Sequence, residues 1–331
     1  MTTTPAKTDI LATPPGSSVE EHVRFLANPA LDGRVPLSPG SKAAREYIIA
    51  TLQKCGVKPL FDGKSSYTQQ IDVYGVVHGT NVGGIIAGKE PGYVLVGAHY
   101  DHLPCSPGAN DNAAAVAQVI AAAGQLGKRG ENDGRSILFL AFDCEEPPHF
   151  HGPTMGSIYF ATHCPVPLDE IQVAIILDLT GHRIPKPGLE NFVFAMGTEY
   201  ATTAYDTVME TAEIAMDIRL FCTSNARAGD LSDHHVFRAH GRPFIFLSCG
   251  HGKHYHQPTD TIENLDLTKT AAIASFLGNL VGKCADGRKF TIDMCGGDFR
   301  EKEASGLSKI LGRRVAVDEV DGIVESLRSG L

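Results

Sequence analysis

The sequence predicts an α/β fold of three layers, α/β/α, around a mostly parallel mixed central sheet. Short β-branched and apolar runs alternate with helix-length segments from about residue 68 onward, the pattern of a largely parallel sheet covered on both faces. With 331 residues, 43% of them hydrophobic, the chain can bury the core those layers need. A third observation bears on function: acidic or imidazole side chains follow several apolar runs directly, and ligands of such folds gather beyond the carboxyl ends of the strands.

Residues 1–17, rich in Thr and Pro, predict a flexible tail. A helix opens at Ser18, where Ser18-Val19-Glu20-Glu21 has capping-box spacing. A second follows Ser38-Pro39-Gly40, with Ala44, Ile48, Leu52 and Cys55 at helical spacing and Gly56 as its stop. Strands are expected at Gln70 to Val77, Val82 to Ile86, Val94 to Ala98, Ile137 to Phe142, Val173 to Leu177, Phe192 to Met196 and Phe244 to Leu247. Helices are expected at Asn112 to Leu126, Tyr200 to Ala215 and Leu267 to Val281. These elements place one domain over residues 18–285. Residues 286–331 form a separate helical extension, with Gly287, Gly296 and Gly297 breaking the pattern and helical stretches at about 300–311 and 317–329. The last carries Val317, Val320, Ile323, Val324 and Leu327 on one face, which either packs on its own domain or joins a second copy into a homo-oligomer.

The net charge of −9 gives no electrostatic reason to expect nucleic acid or an anionic membrane as partner. The first residues lack an apolar signal core, and no stretch reaches the ~18 apolar residues of a membrane span. Eight cysteines, at 55, 105, 144, 164, 222, 249, 284 and 295, form no CxxC pair. Together these features predict a cytoplasmic protein with reduced thiols.

Five segments place chemistry at one sheet edge. His99-Tyr100-Asp101 follows Val94 to Ala98, and on an extended chain residues two apart face the same side, so Asp101 could orient His99. Asp111 stands near a helix start, where alone it reads as an N-cap. Glu145 and Glu146 follow the run ending at Phe142 and point in opposite directions, so one could bind a metal while the other moves a proton. Asp178 follows Leu177, and His254-Tyr255-His256 follows the strand ending at Leu247. Charges so concentrated repel unless a cation offsets them. Two imidazoles and three carboxylates suit zinc, with cobalt or manganese as substitutes, and five ligands fit two metals sharing a carboxylate better than one.

The set His99-Tyr100-Asp101, Gly108-Ala109-Asn110-Asp111-Asn112, Glu145-Glu146, Leu177-Asp178, Ser232-Asp233-His234, Tyr255-His256 and Asp260-Thr261 resembles the M28 metallopeptidases, the co-catalytic zinc aminopeptidase family. Order and spacing agree from about residue 18 to 283, and Asp32-Gly33-Arg34 resembles the family's amino-terminal region. The resemblance implies a zinc-exopeptidase-like fold and two Zn2+ per subunit. Asp111 would bridge them, His99 and Asp178 would complete one site, and Glu146 and His256 the other. Glu145 would be the general base and Asp101 the partner of His99. The expected substrate is a peptide, cleaved at its amino terminus. Tyr255, Phe150, Arg227 and Asp233 are candidate substrate contacts. Arg227 would favour a carboxypeptidase or dipeptidase by binding a carboxylate, and Asp233 reads equally as a residue orienting the pocket or capping a helix.

The segment Pro147 to Ser157 departs from the family pattern by its length and its Pro and His content, which makes His149 and His151 rim or loop residues that could add a metal contact. A further relative of this fold is glutaminyl cyclotransferase. Those enzymes use tryptophans around the pocket, whereas this chain has none and carries Tyr255 before His256. Cys144 reads as a packing residue, since no base or oxyanion loop accompanies it.

Overall fold

A computed structural model of the chain describes residues 16, 18–128, 132–215, 217–296 and 299–328. The predicted tail thus lies almost wholly outside the described residues. Ser18 caps α1 (Val19–Leu26) through a reciprocal pair, its hydroxyl accepting from the Glu21 N–H while its own N–H donates to the Glu21 carboxylate. Ser38 caps α2 (Pro39–Lys54), which Pro39 enters without losing a hydrogen bond and Gly56, at φ 80°, leaves in the left-handed region.

The strands are β1 (Lys58–Pro59), β2 (Thr68–Val73), β3 (Val76–Ile86), β4 (Gly88–His99), β5 (Asn132–Phe142), β6 (Ile171–Asp178), β7 (Phe192–Met196), β8 (Arg219–Cys222) and β9 (Phe244–Ser248). They form one sheet in the order β1-β3-β5-β4-β6-β9-β7-β8, with β2 beside β3. The four central strands β5, β4, β6 and β9 run parallel, while β3 and β7 are antiparallel to their inner neighbours. Between strands lie α3 (Ala114–Gly127), α4 (Gly156–Thr162), α5 (Thr202–Ala212), α6 (Asn225–Ala228) and α7 (His234–Ala239), and α8 (Leu267–Ala285) follows the last strand. Helices α3 and α8 pack on each other and on β4 and β5, whereas α4 and α7 pack on each other and on β3, β6 and β9. The fold is the expected α/β one with a mixed central sheet.

Two expectations need correction. The strand expected from Gln70 to Val77 is a hairpin, because Tyr74 and Gly75 both take positive φ (56° and 79°) and reverse the chain. Strand β8 has no counterpart among the predicted strands; its four residues begin with an exposed arginine and show no usable period. After α8, the extension forms α9 (Phe299–Leu311) and α10 (Val320–Arg328). Helix α9 packs on β8, and α10 packs on α9. Val320 and Val324 are buried in the same core, and Val317 and Ile323 pack against it; the side chain of Leu327 lies outside the described residues. Among the described residues no cysteine is disulfide-bonded, and no helix is long and apolar enough to cross a membrane.

Candidate metal centre

Because β5, β4, β6 and β9 are parallel neighbours, their carboxyl ends converge on one edge. His99 is the last residue of β4 and Asp178 the last of β6; Glu145 and Glu146 leave β5, and His256 lies in the loop after β9. Asp111 arrives from the other direction, on the irregular segment Ala109–Ala113 that leads into α3. That segment is held by its neighbours. Asp260 accepts the N–H groups of Asn110 (2.8 Å) and Asp111 (3.0 Å), and Asn112 donates to the Leu177 carbonyl at 3.0 Å, one residue before Asp178. Gly108 precedes it at φ 59°, and a Cβ there would meet the Asp111 carbonyl at 2.4 Å, so only glycine fits. Asp111 is no N-cap: α3 starts three residues later, and the residue at its N-cap position is Ala113.

The carboxylate of Asp111 divides its oxygens. Oδ1 lies 3.4 Å from His99 Nε2, which is itself 3.5 Å from Asp178 Oδ1. Oδ2 lies 3.3 Å from His256 Nε2, which is 3.2 Å from Glu146 Oε2. Asp178 Oδ1 is buried with no hydrogen-bond partner in the protein. His99–Asp111–Asp178 is one group whose ligand atoms can converge on a cation, and His102–Asp111–Glu146 is a second, with His256 beside the same two carboxylates. A buried oxygen without a donor, beside several buried acids, is the donor set a hard or borderline cation satisfies.

The imidazole of the second group is contested by a residue the sequence reading passed over. His102 Nδ1 is 2.8 Å from Glu146 Oε1 and 3.8 Å from Asp111 Oδ2, and its Nε2 is 3.1 Å from Ser106 Oγ. Both its nitrogens thus have partners within the protein, whereas His256 turns one nitrogen to both carboxylates. The signal for His102 was a second imidazole directly after Asp101.

Asp101 lies beside His99, but not as alternation predicts. Its carboxylate accepts the N–H groups of Glu145 (3.0 Å) and Glu146 (3.1 Å), leaving its nearer oxygen 3.7 Å from His99 Nδ1. That nitrogen is instead 3.1 Å from the Asp101 main-chain oxygen. Strand β4 ends at His99, so the two-residue period no longer applies at 101. Asp101 fixes the glutamate pair as directly as it fixes the histidine.

The buried acids shift one another. Burial raises the pKa of Glu145 well above the usual range, and Asp178, Asp233 and Glu146 add to this against the opposing pull of His99. Burial likewise raises Asp178, and carries Asp233 to about 7. Burial opposes protonation of His256, but hydrogen bonds to Asp111 and Glu146 outweigh it and raise it to about 10. A carboxyl whose pKa is raised on folding favours the fold below its unfolded value near 4 and loses that contribution as pH climbs through the folded value. Histidine raised to about 10 does the same between about 6.5 and 10. Both act in one direction, so the chelated protein is expected to melt at a lower temperature at pH 8 than at pH 5.5, with added zinc restoring more at pH 8. Differential scanning fluorimetry in EDTA checks this; a melting temperature that rises with pH contradicts it.

A cavity of about 570 Å³ opens over Asp111, Glu145, Glu146, Asp178 and His256. Tyr255 and Phe150 line it, Tyr255 stacking on the His256 ring at 3.8 Å. Two expected substrate contacts are corrected. Asp233 is fully buried and does not line the cavity; it stands at the N-cap position of α7 with no side-chain cap bond. Arg227 lines the cavity, but its guanidinium is engaged by Glu303, at 2.9 Å through both Nε and Nη2, and by Asp321 at 2.8 Å. His149 and His151 bond instead to Thr154 (2.9 Å) and the Asp230 carbonyl (2.9 Å). The Cys144 thiol is buried 3.3 Å from the His78 carbonyl, and burial raises its pKa.

A parallel-centred sheet with His and carboxylate groups converging at its carboxyl edge is the arrangement of an α/β protein with a candidate metal site. Residues 81–281, more than half of the chain, match the model of peptidase family M28, and the chain belongs to that family. Aminopeptidase YwaD of Bacillus subtilis (strain 168) is 28% identical over 184 residues, 54% of this chain and 38% of YwaD. Glutaminyl-peptide cyclotransferase of Bos taurus is 25% identical over 289 residues, 76% of this chain and 79% of that one. The chain is also 27% identical over 209 residues to the uncharacterized protein YfbL of Escherichia coli (strain K12), 54% of this chain and 63% of YfbL, so it spans less than two thirds of the length of either of these bacterial relatives. Among solved structures, a Zn-dependent exopeptidase from Parabacteroides distasonis ATCC 8503 shares the fold with a TM-score of 0.62 at 20% identity, over 82% of this chain and 97% of that one.

Proposed function

We propose that this protein is an aminopeptidase with two zinc ions, one held by His99, Asp111 and Asp178 and the other by Asp111, Glu146 and His256. The observation that carries this reading is the division of the Asp111 oxygens between two imidazoles, at 3.4 and 3.3 Å, which suits a carboxylate shared by two cations. His102, with both nitrogens bonded, orients Glu146. When bound, the ions would supply a water acidified towards neutrality and polarisation of the scissile carbonyl.

The protein's own groups do the rest. Glu145 stands at the cavity beside both ligand groups and belongs to neither, so it is free to take the proton of the attacking water and return it to the departing amine. Tyr255 lines the same cavity, and burial with the surrounding acids keeps its phenol protonated, so it can donate to the carbonyl oxygen. The acids that line the cavity would receive the free α-amine of the substrate, which confines cleavage to the chain end. Arg227, already bonded to two carboxylates, is not available to receive a substrate carboxylate, which speaks against a carboxypeptidase.

Metal-loaded protein is expected to hydrolyse leucine p-nitroanilide and to lose that activity when the amine is acetylated. The second reading, glutaminyl cyclisation, draws on the extent of the bovine relative's match. The absence of tryptophan from the whole chain weighs against it. Cyclisation of an N-terminal Gln peptide without hydrolysis of the anilide would overturn the aminopeptidase reading.

A further inference from the structure

Outside the family match, residues 299–328 reach back to the cavity. We infer that this extension supplies the wall that limits the size of the substrate side chain, with Val324 as the specificity-determining residue; the inference rests on the peptidase reading of the cavity.

The cavity lining divides into two chemically different sets. One is the buried acids Asp111, Glu145, Glu146 and Asp178. The other is apolar, built by Phe194, Met196 and Phe246 from the sheet, Leu231 from the loop before α7, and Val324 from α10. Val324 is 3% exposed and belongs to the same core cluster as Phe194 and Phe246, so it is a packed wall and not a loose flap. A substrate with its amine at these acids can turn its side chain to the apolar set, where burial favours a bulky aliphatic or aromatic group.

Polar bonds fix the wall in place. Glu303 on α9, 1% exposed, accepts from the Thr223 hydroxyl (2.7 Å), the Ser224 N–H (3.1 Å) and two nitrogens of Arg227 (2.9 Å each). Asp321 on α10 accepts from the third nitrogen of Arg227 at 2.8 Å and pairs with Arg300 of α9. Thr223 and Arg227 themselves line the cavity. Both extension helices are therefore keyed to residues 223–227, which form one side of the pocket, and a bidentate arginine–carboxylate pair with its carboxylate buried is geometrically exacting. Arg227 thus acts on the site by positioning α10.

Full-length, metal-loaded protein should be compared with Val324→Phe and Val324→Ala on alanine, leucine and phenylalanine p-nitroanilides. Filling the wall should lower the phenylalanine-to-alanine ratio of kcat/KM about tenfold or more, and opening it should raise that ratio, in the range one or two methylenes command in an apolar pocket. Ratios unmoved in both variants, with circular dichroism showing both folded, overturn the proposal. If the parent protein hydrolyses none of the three anilides, the peptidase reading has failed, and the wall is then tested by binding. By isothermal titration calorimetry the metal-loaded parent should bind L-phenylalaninamide more tightly than glycinamide, and Val324→Phe should cut that preference about tenfold; a preference unchanged in folded Val324→Phe overturns the proposal.

Discussion

Glutamine in place of Glu145 is expected to lower kcat for anilide hydrolysis by about 10²- to 10⁴-fold, the range general-base catalysis contributes, while the zinc content stays as in the parent protein. The substitution preserves shape and removes only the proton acceptor. Each ligand group is complete without Glu145: its nearer oxygen is 3.9 Å from His99 Nε2, farther than Asp111 or Asp178. The main-chain N–H of residue 145 remains bonded to Asp101, so the loop keeps its course. A stability change of opposite sign should accompany the loss. Burial and the neighbouring acids disfavour the ionised form of Glu145, so a neutral amide relieves repulsion in the metal-free protein and should raise its melting temperature at pH 7. Glu146→Gln should instead reduce bound zinc, because Glu146 faces His256 at 3.2 Å. Metal analysis alongside kcat separates the two. Undiminished activity of Glu145→Gln with metal bound would remove Glu145 from the mechanism.

The functional edge was legible in the sequence because it is made of strand ends. His99, Glu145, Glu146 and Asp178 each follow a recognisable apolar run, and parallel order brings such ends together. Asp111 was legible only as part of the set, since its local context is that of a cap. What escaped was settled by contacts between distant residues. The partners of Arg227 lie 76 and 94 positions away on the extension, so nothing local distinguished it from a residue open to substrate. Asp233 carries a motif common to site and cap alike, and only its burial shows that it does not line the cavity. The Asp101 carboxylate was assigned to the nearer histidine, while its bonds go to the main chain 44 and 45 residues on.

Arg34→Met is expected to be the most damaging substitution away from the metal ligands, lowering stability by about 3–5 kcal/mol, as breaking a buried charged network does. Arg34 is fully buried and donates to four carbonyls: Tyr100 (2.6 Å), Leu26 (2.6 Å), Pro107 (2.7 Å) and Gly108 (3.0 Å). Two of these flank the site. Tyr100 follows His99, and Gly108 opens the segment carrying Asp111, so one guanidinium ties the two strands of chain that meet at the centre. Burial lowers its pKa to about 10, held up by Asp260, Asp101, Asp111 and Glu146, so it stays cationic at neutral pH. Methionine would fill the volume and leave four acceptors unsatisfied. Lysine should rescue only in part, because three donors on one nitrogen cannot reproduce a planar fork that spans four carbonyls. Zinc affinity tells whether Arg34 acts mainly as a charge or as a brace. Loss of a cation beside the acids should tighten zinc binding, whereas loss of the tie between His99 and Asp111 should weaken it. The four short, directed bonds favour the second, with an expected weakening of about 10- to 100-fold, as for other groups that orient metal ligands. Urea unfolding with and without zinc gives both quantities, and tighter zinc binding in Arg34→Met would show that the charge, not the brace, is what the site feels.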